Sequence, residues 1–132
     1  MTASSTPWTG ARRRVHMQEV GPRDGLQMES AFVPTADKIA LIDALSAAGL
    51  AKIEATAFVS PQAIPALRGA GIVLREIARA PGVVYTCLVP NLRGAERAIE
   101  ARAGELNLVL SCSVTHNLAN LRMPRAHSFT AL

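Results

Sequence analysis

Residues 15–27, VHMQEVGPRDGLQ, decide how the rest of the sequence is interpreted. Val15–Val20 has the composition of a short β-strand, a Gly-Pro turn ends it, and Arg23 and Asp24 follow at once. In parallel α/β folds, residues just past the carboxyl end of a strand face the ligand site. The stretch therefore predicts a strand that places a cation and a carboxylate at the carboxyl end of a parallel sheet, where the ligand site is expected. The same residues also fit a surface turn closed by a local salt bridge.

Further strands follow at intervals that are typical of repeated β-α units. The predicted strands are Val15–Val20, Lys52–Val59, Val83–Val89 and Glu105–Ser111. The first predicted helix is capped by Thr35 and ends before Gly49. Two further helices are predicted over Ile72–Ala80 and Leu92–Ala103. A loop followed by a helical segment is expected within Cys112–Leu132. Because each interval is long enough for a parallel crossover, four units form either a small doubly wound sheet or half of an eight-stranded barrel.

Composition excludes several classes of protein. Apolar residues make up 49% of the chain and charged residues 18%, which is typical of a globular domain and not of a disordered chain. Charged residues interrupt the longest apolar stretches, so a membrane-spanning segment is not expected. The formal net charge of +4 comes mostly from Arg12, Arg13 and Arg14, and the remaining chain lacks the basic footprint of a nucleic-acid-binding protein. We predict a disordered basic tail over residues 1–14 and one α/β domain over residues 15–132.

The cysteine content bears on the cellular compartment. Cys87 and Cys112 are too few for a disulfide framework or a closed zinc site. Both are expected to be small buried residues. A reducing compartment follows, with the cytoplasm as the expected location and the mitochondrial matrix as the alternative, because the acid-free N-terminal stretch is compatible with a presequence.

The second predicted strand carries an acid where a half-buried strand is normally apolar. Glu54 and Thr56 are two residues apart and therefore share one face. A buried carboxylate needs a partner, and Arg23 is the natural candidate; the alternative is an exposed edge strand. Polar residues also follow the third and fourth strands, so every strand places polar groups at the same end of the sheet, the carboxyl end. These later polar residues are Asn91, Arg93, Ser111, Ser113, His116 and Asn117.

Four stretches together resemble the hydroxymethylglutaryl-CoA lyases. They are VGPRDGLQ (20–27), IEATAFVSP (53–61), VPNLRG (89–94) and SCSVTHNLAN (111–120). That family belongs to a metal-dependent TIM-barrel superfamily, which also contains homocitrate and isopropylmalate synthases. The resemblance is colinear over about residues 15–132, and the Arg-Asp-Gly-Leu-Gln run favours the lyase branch. It implies a partial (β/α)8 TIM barrel of about four β-α units, the N-terminal half of a lyase domain.

The resemblance also implies an activity and roles for particular residues. The reaction is the cleavage of 3-hydroxy-3-methylglutaryl-CoA to acetoacetate and acetyl-CoA, a step of leucine catabolism and ketone-body formation assisted by Mg²⁺ or Mn²⁺. Asp24 stands at the metal-ligand aspartate of the family. Arg23 stands at the catalytic arginine that steadies the enolate oxygen of the acetyl-CoA product. Glu54 matches the second-strand carboxylate near that arginine and is also expected to be catalytic. Arg23 and Gln27 are the expected substrate-binding residues.

The sequence departs from the family pattern after its fourth predicted strand. The remaining metal ligands of the family, a His-x-His pair and an Asn, and the Cys of its catalytic loop lie on later elements that this sequence does not contain. The metal site is therefore expected to be incomplete and the chain to be truncated and inactive alone, because a hard divalent cation needs several oxygen ligands. The alternatives are another acyl-CoA or 2-oxo-acid lyase or synthase of this superfamily, or a non-catalytic half-barrel that acts as an interaction module.

The expected partners follow from the same analysis. An acyl-CoA is the expected small-molecule substrate, with no nucleic acid and no membrane, and His116 is a candidate substrate contact. Half of a barrel leaves the first and last strands with unpaired edges, so self-association is expected. Apolar positions such as Ile53, Val84 and Leu108 are predicted to lose their partners and to be left exposed.

Overall fold

The computed structural model describes residues 15–131; the tail predicted for residues 1–14 lies outside this range. Four parallel strands form one sheet in the order β1-β2-β3-β4, with β1 at Gln18–Glu19, β2 at Lys52–Ala57, β3 at Val84–Val89 and β4 at Glu105–Leu108. The helices are α1 (Thr35–Ala47), α2 (Ala70–Glu76), α3 (Leu92–Glu100), α4 (Val114–Leu121) and α5 (Arg125–Ala131). None of these helices is long and apolar enough to cross a membrane.

The strand order decides between the two architectures that spacing left open. Each strand pairs in parallel with the next strand along the chain, so the sheet has no point at which the order reverses, as it does in a doubly wound sheet. The apolar core lies between the sheet and α1, α2 and α3; its members include Ile42, Ile53, Leu74, Tyr85, Val89 and Ala98. One helical layer on one face of a sequentially ordered parallel sheet is the arrangement of a β/α barrel. The prediction of about four units of a partial barrel is confirmed.

The other face of the sheet carries polar side chains. The fully buried Thr86 Oγ1 accepts hydrogen bonds from Gln18 Nε2 and Asn107 Nδ2, both at 3.3 Å. These bonds link β1, β3 and β4 across the face that the helices do not cover. On the helical face, the hydroxyl of the neighbouring Tyr85 hydrogen-bonds Ser46 Oγ at 2.8 Å and accepts from the backbone N–H of Ala80 at 2.9 Å.

Several element boundaries differ from the prediction. Only Gln18–Glu19 of the predicted first strand pairs with β2, and the following loop begins with one turn of π-helix at Gly21–Gly25. The prediction that Thr35 caps α1 is wrong, because Pro34 occupies the capping position and no side chain hydrogen-bonds the helix end. Gly49 follows the end of α1 as predicted, with a φ of 84° that favours glycine.

The later helices also differ in position and number. The second helix covers Ala70–Glu76 instead of Ile72–Ala80, and it starts after Gly69, whose φ is 87°. The helical segment predicted after the loop in Cys112–Leu132 forms two separate helices, α4 and α5. Arg122, with a φ of 55°, ends α4 in the left-handed conformation and lets the chain turn towards α5.

The expected exposure of apolar side chains is correct at two of three positions. Val84 and Leu108 are exposed, Leu108 to 54%. The expectation for Ile53 is wrong: its side chain is fully buried in the layer between the sheet and the helices. Neighbouring residues of a strand face opposite sides, so an inward-facing Glu54 places Ile53 against the helices.

The two cysteines differ in burial, so their reactivity tests how tightly the core around β3 is packed. Cys87 is fully buried on β3, whereas Cys112 is exposed, so the expectation that both are buried is wrong for Cys112. Burial, with the nearby Glu54 carboxylate as the second cause, raises the pKa of the Cys87 thiol to about 12. Because the thiolate is the reactive form, a thiol reagent at neutral pH is expected to modify Cys112 alone in the native chain.

Intact-mass spectrometry of the alkylated chain checks this expectation. One adduct should form under native conditions and two in denaturant. A Cys112→Ser variant serves as the control and should gain no adduct until it unfolds. Two rapid native adducts would contradict the packing of β3 against the helices.

Candidate active site

A cavity of about 350 Å³ opens at the carboxyl ends of the strands. In parallel β/α folds this end of the sheet holds the ligand site. Its wall takes residues from the segments that follow all four strands; among them are Arg23, Gln27, Ser60, Asn91, Val109 and Asn120. The predicted substrate-binding residues Arg23 and Gln27 therefore lie together in one cavity wall.

A tight backbone turn brings Arg23 to this position. The backbone N–H groups of Arg23 and Asp24 both donate to the carbonyl oxygen of Val20, at 3.0 and 2.7 Å. The N–H of Gly21 donates to Glu19 Oε1 at 2.6 Å. A Cβ at Gly21 would lie 2.8 Å from that same carboxylate oxygen, so a side chain here would displace it. Glycine at this position therefore leaves room for the Glu19 carboxylate beside the backbone.

Arg23 and Glu54 form the ion pair that the sequence predicts. Arg23 Nε lies 3.2 Å from Glu54 Oε1, and Nη2 donates to Oε2 at 3.4 Å. The Glu54 side chain is only 4% exposed on the interior strand β2, so the alternative of an exposed edge strand is wrong. Arg23 Nε and Glu54 Oε1 are nevertheless poorly aligned, and neither has a hydrogen-bond partner within residues 15–131. The pair is close but retains hydrogen-bonding capacity, which is unusual for buried polar atoms.

Asp24 approaches the same guanidinium from the solvent side. Its Oδ1 accepts from Arg23 Nη1 at 2.7 Å, while its side chain stays 57% exposed. One cation thus lies between two carboxylates, and the group carries a net negative charge. Residues 15–131 contain no cluster of three or more His, Cys, Asp or Glu side chains that could hold a metal ion. Asp24 offers an oxygen ligand, but this part of the chain does not complete a divalent metal site by itself.

Lys38 holds together the loops that carry Gln27 and Ser60. Its Nζ donates to the carbonyl oxygens of Ala66 and Arg68, at 2.5 and 3.3 Å. The ring of Phe32 lies 4.5 Å from this ammonium group and 3.7 Å from the guanidinium of Arg68. Burial, with Arg68 as the second cause, lowers the pKa of Lys38. The loop after β1 is therefore fastened to the loop after β2.

Asn117 fixes α4 beside the cavity. The side chain is fully buried; it accepts from the N–H of Ser111 at 3.0 Å and donates to Met123 O and Ser128 Oγ at 2.8 and 2.7 Å. These bonds join the end of the sheet to both C-terminal helices. As a result, Asn120 reaches the cavity wall one helical turn later.

Sequence reasoning missed two polar residues in the cavity wall, Ser60 and Asn120, and correctly placed Asn91 at the end of its strand. Ser60, Asn91 and Asn120 line the cavity, whereas the candidate His116 does not. The capping role of Asn91, which accepts from the N–H of Gly94 at 2.9 Å, explains its position at the start of α3. The signal for Asn120 is its spacing of four residues from His116, which places both on one face of a helix.

Fold and cavity together define a β/α-barrel protein whose ligand site lies at the carboxyl ends of its strands. Residues 14–132 match the family model described as HMGL-like. The chain belongs to the HMGL-like family.

Two curated relatives of the chain are named hydroxymethylglutaryl-CoA lyases. A hydroxymethylglutaryl-CoA lyase of Bacillus subtilis is 47% identical over 120 residues, which cover 91% of this chain and 40% of the relative. The mitochondrial hydroxymethylglutaryl-CoA lyase of Rattus norvegicus is 44% identical over 130 residues, or 98% of this chain and 40% of the relative. The chain thus spans about 40% of the length of these relatives.

Solved structures agree with this assignment. A structure of an HMG-CoA lyase from Acinetobacter baumannii in complex with coenzyme A and 3-methylmalate matches with a TM-score of 0.85 and 58% identity, over 86% of this chain and 37% of that chain. The Bacillus subtilis HMG-CoA lyase matches with a TM-score of 0.88 and 46% identity, over 92% and 41%. The chain is therefore similar to these two enzymes both in sequence and in fold.

Proposed function

We propose that the protein to which this chain belongs cleaves 3-hydroxy-3-methylglutaryl-CoA to acetoacetate and acetyl-CoA. One observation carries this proposal: the guanidinium of Arg23, held between the buried Glu54 and the exposed Asp24, lies in the wall of the cavity at the strand ends. Relatives at 44–47% identity that are named for this reaction support it.

The chemistry requires a cation where Arg23 lies. The tertiary hydroxyl of the substrate loses its proton, the bond between C2 and C3 breaks, and its electron pair becomes the enolate of acetyl-CoA. A proton then reaches the enolate carbon to complete the acetyl group. Arg23 stabilises the charge that develops on the thioester oxygen, and Glu54 keeps the guanidinium in place. Gln27, in the same wall, hydrogen-bonds the substrate.

A divalent metal ion, Mg²⁺ or Mn²⁺, would polarise the hydroxyl and a carboxylate of the substrate when bound. Asp24 is the described residue that we assign to it as a ligand. A single exposed carboxylate falls short of the several oxygen ligands that these cations need. Within residues 15–131, Asp24 does not belong to a group of three or more His, Cys, Asp or Glu side chains that could hold the ion, so this part of the chain does not complete the site by itself.

A related substrate is the second candidate. One relative from Pseudomonas aeruginosa, 44% identical over 109 residues, is named a 3-hydroxy-3-isohexenylglutaryl-CoA/hydroxymethylglutaryl-CoA lyase. Both names describe the same bond cleavage and differ in the branch at C3. The site on this chain that would stabilise the enolate is then the same for both substrates.

The test uses a chimera that joins residues 15–132 to the portion of the Bacillus subtilis relative that they do not match. With Mn²⁺, the chimera is expected to release acetyl-CoA from 3-hydroxy-3-methylglutaryl-CoA, and the isolated chain no more than its own Asp24→Ala control. Release only from the isohexenyl substrate would favour the second candidate. A folded chimera that cleaves neither would favour a non-catalytic interaction module.

We also propose that the isolated chain associates with a second copy of itself through its open sheet edges. Within residues 15–131, β1 and β4 each have a neighbouring strand on one side only. Exposed apolar side chains lie in or beside these two strands; they are Val15, Met17, Leu108 and Val109. Unpaired backbone groups at such edges are templates for pairing with another strand. Parallel pairing of β1 with β4 of the second copy would cover both edges.

Sedimentation velocity tests this association. The chain is expected to sediment as a dimer or larger species, and Leu108→Lys to shift it towards the monomer, because a charge at an edge strand opposes pairing. Ile99→Lys, at an exposed position on α3, is the matched control and should change nothing. A sharply melting monomer that binds no ANS would overturn the proposal.

For the compartment, we propose the cytoplasm. Both cysteines are free thiols, which suits a reducing environment. Several relatives are named as mitochondrial enzymes, so the mitochondrial matrix is the alternative. Fractionation of the source cells distinguishes the two.

A further inference from the structure

The ring of His116 is held at both of its nitrogen atoms. Nδ1 lies 3.0 Å from Ser111 Oγ, and Nε2 lies 2.7 Å from Asn120 Nδ2. The backbone N–H of His116 donates to Ser113 Oγ at 3.2 Å, which fixes the first turn of α4. The ring is therefore oriented between the end of the sheet and the next turn of the helix.

These contacts determine where the imidazole proton lies. The Nδ2 of an Asn amide can only donate, so Nε2 of His116 must accept. A neutral imidazole then carries its proton on Nδ1, from which it donates to Ser111 Oγ. Only this tautomer satisfies both contacts.

Asn120 connects this arrangement to the cavity. Asn120 lines the cavity wall, and His116 does not. Nδ2 donates one of its two N–H groups to the imidazole, and this contact fixes the plane of the amide and with it the position of its acceptor, Oδ1. We propose that His116 is a positioning residue, which orients the Asn120 amide so that its Oδ1 accepts a hydrogen bond from an acyl-CoA in the cavity. This inference rests on the proposed function for the identity of the ligand, but not for the tautomer.

The tautomer is measured on the full chain. Selective ¹⁵N labelling of histidine, recorded at about pH 8 where a free imidazole is neutral, reports which ring nitrogen carries the proton. His116→Phe assigns the resonance. The Nδ1-protonated form is expected in the native chain, with its preference lost in Asn120→Ala. An Nε2-protonated ring, or a tautomer that Asn120→Ala leaves unchanged, would overturn the inference.

Kinetics of the chimera measure the consequence for the site. His116→Phe is expected to raise KM for 3-hydroxy-3-methylglutaryl-CoA by about 3- to 10-fold with little change in kcat, as one binding hydrogen bond is weakened. His116→Gln should restore part of the loss, because its amide oxygen can accept from Asn120. His116→Phe combined with Asn120→Ala should cost no more than Asn120→Ala alone. His127→Phe, at an exposed position on α5, is the control.

The outcomes separate this inference from the proposed function. An inactive wild-type chimera contradicts the proposed lyase activity, and the tautomer measurement then decides the arrangement of His116 alone. An active chimera in which His116→Phe leaves KM unchanged, or lowers kcat without a change in KM, overturns the positioning role and leaves the lyase proposal intact.

Discussion

Arg23→Gln is expected to lower kcat of the chimera by about 10²–10³-fold, the usual cost of removing one group that stabilises developing negative charge. Glutamine keeps a hydrogen-bond donor at this position but loses the charge that lies between Glu54 and Asp24. Steady-state kinetics and a Mn²⁺ titration measure the effect. The metal affinity should change little, whereas Asp24→Ala should weaken the metal affinity.

Arg75→Gln provides the matched control for charge. Arg75 is exposed on α2, outside the wall of the candidate cavity, so its substitution should leave kcat unchanged. Wild-type turnover in Arg23→Gln would contradict the assignment of Arg23. An equal loss of metal affinity in both site variants would show that Arg23 acts through the metal site and not on the enolate.

Glu54→Gln is expected to destabilise the isolated chain by about 3 kcal/mol, because it leaves the mostly buried guanidinium of Arg23 without its interior partner. The substitution preserves volume and removes only the charge, so packing is not the cause. Urea denaturation monitored by circular dichroism gives the free energy of unfolding.

Two further variants test the origin of this loss. Glu76→Gln, at an exposed position on α2, should change the free energy of unfolding by no more than about 0.5 kcal/mol. Replacing both partners, in Arg23→Met with Glu54→Leu, should recover much of the stability, since apolar residues of similar volume often substitute for a buried ion pair. A harmless Glu54→Gln would mean that Asp24 and solvent compensate the charge of Arg23 without Glu54.

The pairing of Arg23 with Glu54 was predictable because burying an unpaired charge costs free energy in any protein. A carboxylate in a half-buried strand needs a cation, and the preceding β-α unit offers one next to the strand end. The four β-α units were predictable from the spacing of the strands, since parallel strands require long crossover connections. Strand order, by contrast, needed the structure, because spacing is the same in both architectures.

The remaining details depend on contacts between distant residues. The short β1 pairs over two residues only, and no local pattern in Val15–Val20 indicates where pairing stops. The position of α4 depends on the buried Asn117 and its bonds to Ser111 and Ser128, which lie up to 11 residues away. Asn120 enters the cavity wall only through that arrangement. The local sequence alone therefore could not show that Asn120, and not His116, lines the cavity.

Thr86 and Tyr85 have a consequence for how β3 aligns with its neighbours during folding. The Thr86 hydroxyl meets two side-chain amides on one face of the sheet, and the Tyr85 hydroxyl meets Ser46 and Ala80 on the other. A slip of β3 by one residue would exchange the two faces. The Thr86 hydroxyl would then enter an apolar layer without an acceptor, at a cost of about 1–3 kcal/mol, and the Tyr85 hydroxyl would lose both partners. The hydroxyls of Thr86 and Tyr85, on opposite faces of the sheet, thus both destabilise the pairing of β3 in the wrong register.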